Sequence, residues 1–497
     1  MIEMTLREIA DVVGGELHDV PDPQALVTGS VEFDSRRIGS GDLFLALPGA
    51  NSDGHDYAAT AIAAGAVAVL AARPVGVPAI VVAPDLGSVP ATSVALSSDE
   101  DGSGAAVLAA LAELARVSTE RLAERTGLTV VGVTGSSGKT STKDLLAAVL
   151  EPLGAVVAPP GSFNNELGHP WTALRAGPDT KFLALELSAR GRGHIAELAR
   201  IAPPRIGVVL NVGTAHLGEF GSREAIAQAK GELVEALPAE GLAVLNADDP
   251  NVSAMASRTT ARVVKVGLSG DADIRATDVI TDDQARAHFT LHAGGESMPV
   301  RLAVHGEHQV GNALAAAAVA LECGADLATV AQALSGATAA SVRRMDVTTT
   351  PAGVTVINDS YNANPDSVRA ALKALVTLAK SAGEPRRSWA VLGEMGELGD
   401  TSVIEHDAIG RLAVRLDVDR LIVVGTGRPS HGMHQGAVME GSWGEESILV
   451  PDIDAAIALL DDEIAAGDVV LVKASKAVGL WAVAEHLTGA AEGKTAR

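Results

Sequence analysis

A chain of 497 residues with 38 Lys and Arg against 62 Asp and Glu carries a net charge of −24. Such a surface repels nucleic-acid phosphates and anionic lipid, so an anionic ligand needs a local basic pocket. Hydrophobic residues make up 47% and aromatics 2%, which points to several cores built on Ala, Val and Leu and, at roughly 150 residues per domain, to about three domains. The single cysteine, Cys323, excludes an intrachain disulfide. The acidic start Met1-Ile2-Glu3-Met4 is no signal peptide, and alanine-rich runs such as Ala313–Ala320 are too short to span a bilayer. A cytoplasmic protein is expected.

Residues 1–95 mix short strands and turns, with a helical pattern near His55–Ala72. The polar, Gly/Ser-rich stretch 97–104 reads as a linker or loop, and Ala105–Thr126 as an amphipathic helix. From Leu128 the rhythm becomes strand, loop, helix, with apolar strands at Thr129–Val133, Phe182–Leu187, Ile206–Val212 and Leu242–Asn246. Helical runs at Asn312–Cys323 and Leu327–Leu334 close this region. A second series has strands at Val354–Asn358, Trp389–Leu392, Leu421–Val424 and Val469–Val472, with a helix over Asp366–Ala379. Strands alternating with helices predict an α/β protein whose mostly parallel sheets are covered on both faces. The expected domains are 1–104, 105–340 and 341–497.

The strand Thr129–Val133 runs into Thr134-Gly135-Ser136-Ser137-Gly138-Lys139-Thr140, and a helix follows over Ser141–Leu150. Glycines let the backbone curl so that its N–H groups face phosphate oxygens, and the helix start favours an anion. Lys139 supplies a point charge for the β- and γ-phosphates, and the Thr140 hydroxyl can bind Mg²⁺. Strict Walker A spacing would put its first glycine at Val133, so this is a shortened variant. A plain Gly-rich turn is the alternative, and the flanking strand and helix with Gly-Lys-Thr favour a nucleotide.

Further along, Glu186 ends an apolar strand, where a parallel sheet gathers ligands; it is either a Mg²⁺ ligand or a strand-end surface residue. His216 follows the next strand on the same edge. Lys230 lies inside a helix over Ser222–Leu237 capped by Ser222, and alone reads as a solvated lysine. Asn246-Ala247-Asp248-Asp249-Pro250 could contact a nucleoside but reads better as an Asx/Pro turn.

With these residues in view, the chain resembles the Mur ligases, and within them the branch that adds D-alanyl-D-alanine. The phosphate loop matches, as does Phe163-Asn164-Asn165-Glu166-Leu167-Gly168. So do the Asn312 helix and Asp359-Ser360-Tyr361-Asn362-Ala363-Asn364-Pro365, the most diagnostic segment. Phe33-Asp34-Ser35-Arg36-Arg37 and Gly41–Leu47 are similar to the family's UDP-sugar module. The resemblance implies an N-terminal UDP-sugar module, a central P-loop-type sheet and a C-terminal Rossmann-like domain.

It also implies ATP held by Gly135, Ser136, Ser137, Gly138, Lys139, Thr140, Ser141, Asn312 (adenine), Arg344 (γ-phosphate) and Asp359 (ribose). Two Mg²⁺ ions are implied, with Thr140, Glu186, His216 and a CO₂-carbamylated Lys230 as ligands, and Lys139, His216 and Lys230 as the catalytic set. Ser35, Arg36, Asn164, Asn165, Tyr361, Asn362 and Asn364 would bind the substrates, UDP-N-acetylmuramoyl-tripeptide and D-alanyl-D-alanine. By itself Arg36 reads equally as a surface arginine. A monomer with neither nucleic-acid nor membrane partner is expected. Two departures stand out: Leu187-Ser188-Ala189-Arg190 where many relatives have Met-Gly, and Lys473-Ala474-Ser475-Lys476 where Lys-Gly-Ser-Arg is commoner. Lys476 keeps the charge for a dipeptide carboxylate without the planar fork. The competing readings are another Mur ligase, a folylpolyglutamate synthase, a P-loop switch protein and a non-catalytic UDP-sugar binder.

Overall fold

A computed structural model describes all residues except 50–51, 85–95, 97–98, 216, 381–385, 442–443, 445 and 490–497. Two residues of the expected linker, 97 and 98, and His216 therefore lie outside the described residues. Among the described residues the strands form a two-, a five-, a nine- and a six-stranded sheet.

The five-stranded sheet runs Glu16–His18, Ala79–Val81, Ala68–Ala71, Leu43–Leu45, Val31–Glu32. The helix expected over His55–Ala72 is shorter than its pattern. A helix spans Ala58–Ala64 and stops at Gly65, whose φ of 120° no helix continues through. Ala68–Ala71 is a fully buried strand instead. Short alanine-rich runs fit either structure, and pairing with Leu43–Leu45 and Ala79–Val81 decides it.

The central sheet contains the expected strands as Thr129–Thr134, Thr180–Glu186, Ile206–Val209 and Leu242–Asn246, all parallel. Thr129–Thr134 lies between Thr180–Glu186 and Ile206–Val209. The chain reverses its direction of travel across the sheet there, which opens a crevice beyond the strand ends. Sequence periodicity passed over the far half of this sheet: Arg262–Gly267, Ile274–Thr281, Arg286–Ala293 and Glu296–His305, the last two antiparallel. In the turn between Ile274–Thr281 and Arg286–Ala293, Ala285 is buried in the apolar core of the third sheet.

The helix Ser103–Thr126 buries Leu111, Leu114 and Ala115 in a core shared with the first sheet. The helix Gln309–Glu322 is buried on nearly every side, with Ala313, Ala316, Ala317 and Ala320 at zero exposure. Small side chains let it sit close against the sheet, which is how a chain poor in aromatics fills its interior.

The third sheet runs Asp346–Thr349, Thr355–Asn358, Val469–Lys473, Ser388–Leu392, Arg420–Val424, Ser447–Val450, parallel except at its first pair. Separate apolar clusters cover its two faces. On one face the helices Ser402–Arg415 and Arg428–Glu440 touch through their backbones: a Cβ at Gly410 would collide with the Met433 carbonyl oxygen. Gly410→Ala should therefore destabilise the protein by about 2–3 kcal/mol through overpacking, read as a lower urea midpoint. An unchanged midpoint would show that the two helices separate freely.

Candidate active site

The parallel strands fix where chemistry can occur. Thr129–Thr134, Thr180–Glu186 and Ile206–Val209 end on one edge of the central sheet, and Thr355–Asn358, Val469–Lys473 and Ser388–Leu392 end together in the third. Residues from both edges line one cavity of about 1540 Å³.

The phosphate loop is held open from the side. Asn211, directly beyond Ile206–Val209, accepts from the Ser136 and Ser137 N–H groups through Oδ1 at 2.9 and 3.0 Å. Its Nδ2 donates to the Ser137 carbonyl at 3.2 Å. Gly138 (φ 84°) ends the loop, and a Cβ there would stand 2.7 Å from Asn312 Oδ1, so only glycine allows that approach. The helix begins at Lys139, two residues earlier than its apolar pattern, so Lys139 and Thr140 lie in its first turn. Lys139 Nζ donates to the carbonyl of Gly135 at 2.6 Å. Burial lowers its pKa, and Arg344 adds to this, while Glu186 and Glu397 oppose it.

Glu186 has zero exposure. Its Oε2 accepts from Thr140 Oγ1 and Asn164 Nδ2, both at 3.3 Å, but its buried Oε1 has no hydrogen-bond partner among the described residues. Burial raises its pKa. A half-satisfied buried carboxylate beside a threonine hydroxyl fits a divalent cation, whose charge offsets what burial costs. Lys230 is 4% exposed, on the helix Arg223–Glu235. Burial, helped by the charge of Lys139, drives its pKa well below the usual lysine range, in the direction of the uncharged amine.

From the third sheet, Arg344 donates to Thr140 Oγ1 (3.3 Å) and Ser162 Oγ (3.0 Å), and its guanidinium lies 4.2 Å from the Tyr361 ring centre. Asp359 pairs with Lys473 at 2.5 Å, both buried, and Lys473 also donates to the Asn362 carbonyl at 2.9 Å. Burial lowers the pKa of Lys473, while Asp359 opposes the shift.

Most residues singled out in the sequence thus meet around one cavity: Ser136–Ser141, Asn164, Asn165, Glu186, Asn312, Arg344, Asp359, Tyr361, Asn362 and Asn364. Others sit elsewhere. Gly135 and Lys230 do not line it. Ser35 and Arg36 lie outside it, and Arg36, 87% exposed in its side chain, is paired with Asp34 at 2.8 Å. Asp249 accepts from the N–H groups of Asn251 and Val252 at the start of the helix Pro250–Ser253, so the Asn246–Pro250 segment is the turn its residues suggest.

Family models match three stretches of the chain. Residues 29–116 match the Mur ligase family catalytic domain, 133–320 the Mur ligase middle domain and 343–476 the Mur ligase glutamate ligase domain. A relative from Mycobacterium tuberculosis, named UDP-N-acetylmuramoyl-tripeptide–D-alanyl-D-alanine ligase, is 61% identical over 501 residues, covering 98% of each chain. The chain belongs to the Mur ligase family. An Escherichia coli relative of the same name is 31% identical over 98% of this chain and 99% of its own. Among solved structures, MurF from Acinetobacter baumannii matches with a TM-score of 0.81 at 29% identity, covering 98% of this chain and 99% of its own. MurF ligase from Thermotoga maritima in complex with ADP matches with a TM-score of 0.73 at 29% identity over 94% and 99%.

Two groups that shape the site of this Mur ligase went unassigned in its sequence, Asn211 and Lys473. Lys473 carries the same signal as Glu186, a charge ending an apolar strand. The Lys473–Asp359 pair ties two neighbouring strand ends together. Lys473→Met should cost about 3–5 kcal/mol by leaving a buried carboxylate unpaired, and the Lys473→Met/Asp359→Asn pair should recover part of it. Urea unfolding checks this, and equal midpoints for the single variant and the parent would refute the pairing.

Proposed function

We propose that this chain is the ATP-dependent ligase that joins D-alanyl-D-alanine to UDP-N-acetylmuramoyl-tripeptide through an acyl-phosphate, in the cytoplasm, for peptidoglycan precursor synthesis. The observation that carries the reading is the facing of Lys139, Arg344 and Glu186 across one cleft, in a chain 61% identical along its length to a relative of that name. Rival members of the class need a different amine, and a switch protein would hydrolyse its nucleotide without a carboxylate and an amine as co-substrates.

A carboxylate is a poor electrophile, and phosphorylation gives it a leaving group. The tripeptide carboxylate oxygen bonds to the γ-phosphorus of ATP while the bond to the β-phosphate oxygen breaks and ADP departs. The dipeptide ammonium loses a proton, the resulting amine bonds to the acyl carbon, the carbon–oxygen bond to phosphate breaks, and the nitrogen gives up one further proton, keeping one in the amide. Catalysis on this scheme is positioning and charge neutralisation. Lys139 exchanges its bond to Gly135 for phosphate oxygens. Arg344 turns its guanidinium from Ser162 to the γ-phosphate, keeping its stack on Tyr361. Backbone N–H groups at the helix start, 138–140, cradle the phosphates, while those of Ser136 and Ser137 are held by Asn211, and Asp359 faces the ribose.

Thr140 and Glu186 would hold Mg²⁺, with His216 and Lys230 as the further ligands the family resemblance implies, and the ion would supply charge neutralisation to the phosphates. Burial favours the uncharged form of the Lys230 amine, the form that can bond to CO₂ and lose a proton to become an anionic carbamate able to serve as a ligand. Closure of the third unit over the cleft keeps water from the acyl-phosphate.

One assay addresses the reading. ADP release should require the muramoyl-tripeptide and run to completion only with D-alanyl-D-alanine. Lys139→Ala should slow it by about 10²–10³-fold. Lys230→Ala should also lose turnover and regain part of it with short-chain carboxylic acids. Normal turnover by Lys139→Ala would sink the proposed chemistry, and full unassisted activity of Lys230→Ala would remove the carbamate.

A further inference from the structure

Arg344 is carried by residues 337–345, which join the helix Leu327–Gly336 of the central unit to the strand Asp346–Thr349 of the third. A connection between two units is ordinarily their loosest point. Here it is stitched down. Ser341 is 6% exposed, although Ala340 and Val342 on either side of it are exposed. Its N–H and its Oγ donate to the two oxygens of Asp144, Oδ2 and Oδ1, each at 3.1 Å. Lys143 Nζ donates to the same Oγ at 3.2 Å and to the Pro159 carbonyl at 3.0 Å, and it pairs with Asp144 Oδ1 at 2.5 Å.

Consecutive helix residues point in different directions, yet Lys143 and Asp144 both turn onto one serine. Lys143 is 3% exposed. A buried ion pair gains little net stability over apolar side chains of similar size, so the use of this one is to fix position. What it fixes is the surroundings of Arg344. Thr140 precedes Lys143 by three residues on the helix Lys139–Leu150, Ser162 follows Pro159 by three, and Arg344 follows Ser341 by three. Those three side chains meet: Arg344 donates to Ser162 Oγ at 3.0 Å and Thr140 Oγ1 at 3.3 Å, and the two hydroxyls are 2.9 Å apart. Past Ser341 the third unit takes hold. Arg343 pairs with Glu485 at 2.7 Å, its guanidinium lies 4.8 Å from the Trp481 ring centre, and its carbonyl accepts from Tyr361 N at 3.2 Å. Arg343 and Met345 have φ of 60° and 52°, left-handed conformations that a non-glycine residue keeps only where its surroundings impose them. Val342, 72% exposed, is left between the two grips.

Resting on the ligase reading above, in which Arg344 meets the γ-phosphate, we propose that Ser341, clamped by Lys143 and Asp144, is the positioning residue that sets the reach of Arg344, with Val342 as the pivot about which the third unit swings. The clamp ties the entry to the third unit to the phosphate-loop helix itself, so Arg344 arrives at Thr140 whenever that unit docks. Loss of the serine hydroxyl then weakens the contact with the γ-phosphate and leaves the α- and β-phosphates held as before.

ADP and β,γ-imido-ATP differ by that one phosphate. The test is calorimetric titration of each, with Mg²⁺, into full-length wild type, Ser341→Ala, Arg344→Ala and the double variant. Ser341→Ala removes only the hydroxyl and leaves the Lys143–Asp144 pair and the Ser341 N–H bond in place. The ratio of affinity for the imido nucleotide to affinity for ADP should fall about 10–100-fold in Arg344→Ala and about 3–10-fold in Ser341→Ala, with ADP itself bound by Ser341→Ala within about twofold of wild type. In the double variant the ratio should match that of Arg344→Ala within about twofold, because the serine acts through the arginine. An unchanged ratio in Ser341→Ala would overturn the assignment. So would an equal loss for both nucleotides, which would mean a general effect on the phosphate loop, or an additive loss in the double variant, which would mean that the serine acts apart from Arg344. An unchanged ratio in Arg344→Ala would overturn the role given to the arginine and this inference with it, while tripeptide-dependent ADP release by the wild type would leave the ligase reading standing.

Discussion

A buried carboxylate, with one oxygen that no described residue partners, lines the cleft, and the groups around it are arranged to offset its charge. Glu186 is placed there as the last residue of a strand whose preceding side chains, Phe182–Leu185, are apolar and buried. Removing an ion from water costs on the order of several kcal/mol after relaxation. Lys139, Lys143 and Arg344 supply opposing charge. Those cations belong to a helix start and to the third unit, so the electrostatic demand of one residue couples the phosphate loop to a different part of the fold. The same demand leaves the cleft ready for a cation and a polyphosphate.

Topology puts these groups within reach of one another. Because parallel strands share a direction, the ends of the central sheet deliver the phosphate loop, Glu186 and Asn211 to one edge, while the third sheet delivers Asp359, Lys473 and the Glu397 loop to its own. The two edges face each other at a few close contacts: Asn364 Nδ2 to the Ser136 carbonyl at 3.4 Å, Thr214 N to Asp366 at 3.3 Å and Gly218 to Glu397 at 3.0 Å. Each of these bonds has a backbone group on the central side, so the seam depends on loop shape, and glycines at 213 and 218 let it close.

Much of this was legible in the sequence where local chemistry is strong. The Gly-Lys-Thr turn between an apolar strand and a helix, the charge ending Phe182–Leu187 and the Ser222 cap all appear where their residues put them. Where alanine dominates, the pattern is ambiguous, and the segment 58–71 became a helix and a strand because neighbouring strands supply the pairing. The hairpin strands 274–305 alternate polar and apolar residues along an exposed sheet edge, a weaker signal than a buried run. Arg36 shows the other limit: a residue type suited to a diphosphate says nothing of where its side chain lies, and here a carboxylate two positions away holds it. Asn211 and Lys473 act through partners more than 70 residues away in the chain, which no window of sequence reveals.

The central claim is that Glu186 waits for a metal-bound nucleotide. Calorimetric titration of ADP into wild type and the isosteric Glu186→Gln variant, with and without Mg²⁺, measures this directly. The account predicts that Mg²⁺ tightens nucleotide binding to the wild type and has little effect on the variant. An equal response to Mg²⁺ in both proteins would contradict it.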